Sequence, residues 1–511
     1  MKRLPIGIQT FRQIIEGDYT YVDKTGMAYD LITSYKYAFL SRPRRFGKSL
    51  FLDTLHNIFE GHKELFEGLA IYDQWDWSQS YPVIRISWAG DFSTLESTQQ
   101  AAFEMLELNQ KRLGIVCTPT DSPAGCFRKL IIEAYEKYQT PVVVLVDEYD
   151  KPILDNITSA KRALENRDFL RSFYVMLKES DAYIRFAFLT GISKFSKANI
   201  FSGLNNLEDI SLVKRFGNIC GYTQQDLETV FAEHLEGADM KRVQEWYNGY
   251  NFLGDALYNP FDILKFIRND LTFDNYWWES GNPYFLIEML KQRPYNLPEL
   301  ENITVGKEIL NTFEVENLKL EVLLFQSGYL TIDRVEELPI GGFEYKLKVP
   351  NMEVQLSLNN LFLEYLTNEA NNRTKLAIYR ALQSGDMAGF EETIKSLFAA
   401  IPYHNYVKNT IGDYEGYYAS VLYAYLAASG LKIVAEDVTN EGRIDLTILM
   451  GQRAYILEFK VGEGDPLGQI KEKNYAQKYR ADYDEIYLIG ITFDPSKRNI
   501  KAFEWEIQAN P

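Results

Sequence analysis

Three groups of residues in this 511-residue chain combine types and spacings suited to chemistry on phosphates. The first is Arg42-Pro43-Arg44-Arg45-Phe46-Gly47-Lys48-Ser49. Gly47-Lys48-Ser49 fit the end of the phosphate-binding pattern G-x-x-x-x-G-K-[ST], while Arg42 stands where the first glycine belongs. Lys48 has the reach for β- and γ-phosphates and Ser49 has a hydroxyl for Mg²⁺. The N–H groups around Gly47 sit at a helix N-terminus that favours anions. The second group is Asp147-Glu148: Asp147 suits Mg²⁺, through water or through Ser49, and Glu148 suits orienting or deprotonating an attacking water. The third is Asp445 with Glu458-Phe459-Lys460. Two carboxylates and the Phe459 carbonyl suit Mg²⁺ or Mn²⁺, and Lys460 suits the water or the charged phosphate of a phosphodiester hydrolysis.

These residues need elements to hold them. The apolar run Tyr37-Ala38-Phe39-Leu40 before the first group reads as a strand, and Leu50 to Leu55 after it as a helix. Pro141 to Val146 is an unbroken run rich in β-branched residues, the pattern of a strand buried on both faces of a parallel sheet. Its acids then fall at the strand's C-terminal end, where open α/β sheets bind ligands. A solvated turn would also end such a strand in acids. Tyr183 to Leu189 reads as another strand, ending at Thr190-Gly191-Ile192-Ser193-Lys194. Thr190 is there a candidate sensor of the γ-phosphate, and the equal alternative is a turn with Gly191 at positive φ. Val83 to Ser87 is a strand, Leu95 to Leu113 a helix, and Ser122-Pro123 a helix start. Tyr19 to Thr25 alternates, and the amphipathic run Met27 to Ile32 packs onto the edge of the domain.

Farther on, strands Arg443 to Leu449 and Ala454 to Val461 flank Met450-Gly451-Gln452-Arg453. A two-residue II′ turn at Gly451-Gln452 places Leu449 opposite Ala454 and Asp445 opposite Glu458, with Lys460 on the same face. Like charges facing one another across a sheet cost up to ~1 kcal/mol, and a divalent cation offsets that cost. A solvated hairpin in which Lys460 neutralises the carboxylates is the competing reading. Asp465 and Pro466 start a helix carrying Gln469, Lys471, Lys473 and Lys478, basic residues suited to a nucleic-acid backbone.

The formal charge of −17 argues against a surface that coats nucleic acid nonspecifically, and leaves room for one basic groove or a metal-assisted site. Composition is that of a globular chain of two or three domains, with 35 Tyr and 31 Phe for packed cores. Three cysteines without metal-type spacing fit a reducing cytosol, and no apolar run approaches the ~18 residues of a spanning helix. The expectation is a cytoplasmic protein with no membrane segment. Between residues 220 and 380, Thr223 with Asp226 marks a helix start. Asp262 to Ile267, Tyr284 to Leu290 and Leu318 to Ser327 have helical spacing, and Gly341-Gly342 suggests a hairpin. The pair Trp277-Trp278 reads as core rather than a base-stacking platform.

Tyr21-Val22-Asp23-Lys24-Thr25, Arg42 to Ser49, Leu145 to Asp150, Thr190 to Lys194, Trp246 to Phe252 and Tyr258-Asn259-Pro260 together resemble the bacterial AAA-ATPase-like family, whose members carry a C-terminal PD-(D/E)XK nuclease-like domain. The resemblance covers nearly the full length. It implies an α/β fold: a P-loop NTPase with a parallel sheet over residues 1–215, a mostly helical lid or linker over 216–380, and an α/β restriction-endonuclease-like domain over 381–511. In that family the arginine-rich phosphate loop is itself the motif. Arg44, Arg45, Gly47, Lys48, Ser49, Asp147 and Thr190 are then the expected nucleotide ligands, with Arg42, Arg44 and Arg45 adding positive charge. Asp445, Glu458, Lys460 and Gln469 match the nuclease motif, with Glu415 as the helix acid. Implied cofactors are ATP and Mg²⁺, or Mn²⁺ at the nuclease site. The implied partner is nucleic acid, DNA more than RNA, with a homo-oligomer or protein partner left open. The expected function is an ATP-driven or ATP-gated nuclease with both sites in one chain, against two rivals: a nucleotide-dependent switch that grips nucleic acid without cutting, and an ATPase acting on protein partners.

Overall fold

The structure is a computed structural model. It describes all residues except 117–121, 195–199, 202–203, 205, 278–302, 307–318, 340, 368–371, 402–414 and 510–511. Five strands, β1 (Tyr37–Ser41), β2 (Val83–Ser87), β3 (Val142–Asp147), β4 (Ile184–Gly191) and β5 (Glu208–Asp209), form one sheet in the order β2-β3-β4-β1-β5. Every pairing is parallel. Every residue of β1 and β3 is buried, as two covered faces require. The order matters for chemistry: β4 lies between the strand that leads into the phosphate loop and the strand that ends in Asp147. The C-terminal end of β4 is therefore flanked by both.

Local signals set the surrounding helices. Leu95–Leu113 begins with the Thr94 hydroxyl accepting the Ser97 N–H at 3.1 Å. Pro123–Tyr138 begins with Ser122 accepting the Gly125 N–H and Pro123 in the first turn. At the N-terminus, Asp23 accepts the Thr25 N–H, the Thr25 hydroxyl and the Ala70 N–H. The alternating stretch therefore turns into helix Thr25–Ser34 instead of running on as a strand.

The chain divides into two compact units, Met1–Gly281 with Thr304–Asn351, and a second built on Met352–Pro511. In the first, Thr223 and Asp226 form a reciprocal cap, helix Pro260–Arg268 covers the expected Asp262 to Ile267, and helix Leu320–Ser327 takes up the described helical part of the expected Leu318 to Ser327, Leu318 lying outside the described residues. The stretch Tyr284 to Leu290 and Trp278 lie outside the described residues, and Trp277 is buried. The middle is not only helical. Strands β6 (Thr304–Gly306), β7 (Thr331–Glu337) and β8 (Phe343–Lys348) form an antiparallel sheet, with Gly341 and Gly342 in the β7–β8 turn.

In the second unit, β9 (Lys432–Val438), β10 (Arg443–Met450), β11 (Arg453–Val461), β12 (Glu485–Asp494) and β13 (Asn499–Ala509) form a mixed sheet in the order β13-β12-β11-β10-β9. Leu449 pairs with Ala454, as the turn chemistry requires. Gly451 takes φ +58° and Gln452 stays out of the left-handed region, the II′ pattern. Helix Pro466–Glu472, capped by Asp465, packs Ile470 against Ile444, Ala454 and Ile456. No described helix is long and apolar enough to cross a membrane.

Candidate functional site

Helix Lys48–Glu60 starts one turn after β1, with Gly47 at φ +91° as its N-cap, a conformation that suits glycine. Lys48 is buried, and its Nζ donates to the carbonyls of Arg42 and Pro43, both at 2.8 Å. Burial pushes the Lys48 pKa down, opposed by Asp147 first and by Cys220, Asp150 and Glu148 after it. Asp147, buried at the end of β3, accepts the Glu148 N–H at 3.0 Å. Glu148 takes φ +50°, a backbone state rare outside glycine and frequent where strain serves a site. Part of the Glu148 side chain meets solvent, yet desolvation of its carboxyl, and secondly repulsion by Asp147, raise its pKa. Three carboxylates, Asp147, Glu148 and Asp150, thus act on Lys48, with Lys151 the further cation acting on Glu148. That charge imbalance and the all-oxygen donors Ser49 and Asp147 fit a hard divalent cation shared with phosphate oxygens.

Arg42 does not add charge for phosphate. Only 1% exposed, its guanidinium donates to the carbonyls of Ser41, Ser211, Phe216 and Gly217 at 2.8, 2.9, 3.1 and 3.3 Å, and lies 4.0 Å over the Phe252 ring. Desolvation lowers its pKa to about 10, which leaves it charged at neutral pH. Its backbone N–H donates to Gly191 without positive φ, so the position needs no glycine. Arg44 and Arg45 are exposed, and Arg45 stacks 4.0 Å over Phe261.

Thr190 is fully buried and its hydroxyl donates to the Leu40 carbonyl at 2.9 Å, a strand-to-strand contact. Gly191 is not at positive φ. It is glycine for another reason: a Cβ there would lie 2.4 Å from Asp150 Oδ1 and 2.6 Å from Tyr149 Cδ1. Beside Gly47 a cleft is walled by Tyr21, Lys24, Phe51, Ile219, Cys220 and Tyr222. Thr20 also lines it, with a buried hydroxyl that has no hydrogen-bond partner among the described residues. Sequence reasoning assigned no role to Thr20 or Asp150; for Asp150, its place three residues after Asp147 was the available signal.

In the second unit the β10–β11 ladder ends at Leu446–Leu457. Asp445 therefore does not pair with Glu458 across the sheet as the uninterrupted register predicts. Its carboxylate accepts the Phe459 N–H at 2.8 Å, meeting a donor that the end of the ladder frees. The two carboxylates still converge on one corner through Phe459. Glu458 is 2% exposed, accepts a hydrogen bond from Gln469 Nε2, and stands 3.8 Å from Lys460 Nζ. Among the described residues no three His, Cys, Asp or Glu side chains are placed to hold a metal. The corner instead offers two carboxylates, and substrate oxygens would complete a shell of the Mg²⁺ type. Tyr475, which sequence reasoning passed over, donates to the Arg443 carbonyl at 3.1 Å. Burial, then Glu458, raises its pKa, and Gln469 and Asp445 also act on it. Lys471 pairs with Glu506 and Lys478 with Asp437, so these two cations already have protein partners. Glu415 opens helix Glu415–Ala428; its side chain, and Asp413, lie outside the described residues.

A parallel sheet with a phosphate loop after β1 and acids after β3 defines a P-loop ATPase-type domain. The mixed sheet bearing Asp445, Glu458 and Lys460 defines a nuclease-type one. The chain belongs to the AAA-ATPase-like family: residues 5–201 match the model described as predicted AAA-ATPase, and residues 413–503 match the PD-(D/E)XK nuclease superfamily. It is 47% identical over 510 residues, 98% of each chain, to an uncharacterized protein in the vnfD 5′ region of Azotobacter chroococcum mcd 1. A solved structure of the Aeropyrum pernix ORC1 protein in complex with DNA aligns with 68% of this chain and 96% of its own. It does so at 13% identity and a TM-score of 0.26, an overlap too low to carry an argument.

Proposed function

We propose that the chain hydrolyses ATP at its phosphate loop and, in response, cleaves a phosphodiester bond of nucleic acid, DNA more than RNA, at Asp445, Glu458 and Lys460. The observation that carries the nuclease half is the convergence on one corner of two carboxylates, one nearly fully buried, with Lys460 and Gln469 directed at the buried one. A solvated hairpin has no need to bury Glu458, and the cost of burying a carboxylate is met only by hydrogen bonds and charge.

At the first site, Lys48 exchanges its carbonyl partners for phosphate oxygens, and the cleft beside Gly47 receives the nucleobase, with Thr20 as a polar contact. Glu148 takes the proton of the water that attacks the γ-phosphorus as the bond to the β-phosphate oxygen breaks. Ser49 and Asp147 would hold the cation there, and Asp445 and Glu458 the one at the second site. A bound cation supplies Lewis-acid stabilisation of phosphate charge. Lys460 donates to the phosphate being cleaved, and Gln469 fixes the orientation of Glu458. The test is cleavage of DNA and RNA substrates by the full chain with Mn²⁺, with and without ATP. The expected result is Mn²⁺-dependent cleavage that responds to ATP and disappears in Asp445→Ala. Absence of cleavage in the wild type, or metal-independent handling of DNA that survives Asp445→Ala, overturns it in favour of a binding module.

A further inference from the structure

The C-terminal end of β4 is held from every described side. From the β1 side, Ser41 Oγ donates to the Ile192 carbonyl at 2.5 Å and the Arg42 N–H to the Gly191 carbonyl at 3.2 Å. From the β3 side, the Tyr149 N–H donates to the Thr190 carbonyl and the Tyr149 hydroxyl to the Ser193 carbonyl, both at 3.1 Å. Asp150 completes the grip. Only 1% exposed, it accepts the Ile192 N–H at 3.1 Å, the Ser193 N–H at 2.6 Å and the Ser193 hydroxyl. Gly191 leaves the room that this carboxylate needs. One residue on, the Lys194 N–H donates to Gln326 Oε1 of helix Leu320–Ser327 at 2.9 Å, and Lys194 Nζ pairs with Asp209. Gln326 is itself buried.

A buried carboxylate whose hydrogen bonds come from a single neighbouring segment fixes that segment's path, because moving the segment would strand the charge. The segment here is the strand end between the two halves of the nucleotide site. Thr190, the residue whose position suggested phosphate sensing, spends its hydroxyl on β1, so the polar groups left at this strand end are those that Asp150 holds. Asp150 and Lys48 also act on each other electrostatically, which links the grip to the phosphate-binding ammonium.

We infer that Asp150 is a positioning residue for ATP hydrolysis: it sets the path of Ile192-Ser193-Lys194 beside the phosphates and, through the Lys194 contact with Gln326, ties that path to helix Leu320–Ser327. The inference rests on the ATPase reading above and adds the route by which the middle segment follows the nucleotide. A group that positions without touching the nucleotide alters turnover more than affinity.

The test compares the full-length wild type with Asp150→Asn, which keeps size and one acceptor but removes the charge, and with the milder Ser193→Ala. Steady-state ATP turnover, ATP affinity by calorimetry, thermal midpoint, and hydrogen exchange at residues 192–194 and 320–327 are measured for each. Asp150→Asn is expected to lower kcat about tenfold, equivalent to ~1.4 kcal/mol of barrier, with ATP affinity held within about twofold. Ser193→Ala is expected to lower kcat about threefold by losing one of three donors. Exchange should rise in both segments for Asp150→Asn, whereas a purely structural role would not separate kcat from affinity. Wild-type kcat in either folded variant, or an equal fall in kcat and ATP affinity, overturns the inference. If Asp150→Asn does not fold, Ser193→Ala decides alone. A wild type that turns over no ATP overturns the ATPase reading and the inference with it, and that is seen before any variant is compared.

Discussion

The two lysines at the centres of the two sites are held in opposite ways. Lys48 is buried and rests on two backbone carbonyls supplied by its own loop, with no carboxylate among its direct hydrogen-bond partners in the described residues. Lys460 keeps 28% of its side chain exposed and leans on Glu458, a carboxylate two residues before it on the same strand. The first arrangement is made by the backbone of one contiguous loop, so the ammonium can be released to a phosphate without leaving a buried charge unpaired. The second is made by strand register and a helix from farther along the chain. Lys460 there doubles as the partner that makes Glu458 tolerable, so its loss also disturbs the carboxylate.

The largest expected effect separates the two sites completely. Lys48→Ala should abolish ATP turnover to within measurement, a loss of about 10²- to 10³-fold or more, by removing preorganised positive charge from the phosphates. Lys460→Ala should lower metal-dependent cleavage by a similar factor while leaving ATP turnover at the wild-type value. Parallel assays of both activities in both variants check this. If Lys460→Ala slows ATP hydrolysis as strongly as cleavage, the two sites are not the separate centres described.

A second variant probes how far the loop depends on parts of the chain remote from it. Arg42 links Ser41 to the carbonyls of Ser211, Phe216 and Gly217 and stacks on Phe252. Arg42→Gly restores the usual first glycine of the motif but leaves those buried acceptors without their donor. It should destabilise the fold by about 2 to 4 kcal/mol, close to the loss in Arg42→Ala. Urea unfolding of the nucleotide-free protein measures this. Near wild-type stability in Arg42→Gly would mean that the arginine decorates the loop instead of anchoring it.

That contrast also explains what the sequence revealed. Features written within a short stretch were legible: the strand, loop and helix around Gly47, the buried run of β3, the bounds of helix Leu95–Leu113, and the II′ turn that pairs Leu449 with Ala454. Features written between distant stretches were not. Arg42 looked like phosphate charge because its acceptors come from residues 211–217, which no local pattern connects to it. Asp445 was set opposite Glu458 by counting register outward, but the ladder stops one step earlier and Asp445 meets the Phe459 N–H instead. Thr190 sat at the right strand end, yet the side on which its hydroxyl falls is decided by β1 packing against it. The β7–β8 hairpin was legible at Gly341-Gly342, but β6 was hidden because it is only three residues long and pairs with β8 across a long separation in sequence.

The smallest effect tests whether the nuclease corner really depends on parts brought from different elements. Gln469 lies on helix Pro466–Glu472 and reaches across to Glu458 on β11, which in turn lies beside Lys460. In Gln469→Ala, Lys460 still neutralises Glu458, so the carboxylate keeps its charge partner and loses only the hydrogen bond that orients it. Groups in this supporting role typically change metal affinity or activity by ~10- to 100-fold, and with Lys460 still in place the lower end applies. Cleavage should therefore fall about tenfold and demand more Mn²⁺ for half-maximal rate, with ATP turnover unchanged. The Mn²⁺ titration of cleavage rate is the measurement that discriminates. A drop that excess Mn²⁺ partly restores places Gln469 behind Glu458. An equal drop at every Mn²⁺ concentration would place Gln469 on the nucleic acid itself, and the corner would then be less like a preassembled site and more like the phosphate loop, where each group meets the substrate directly.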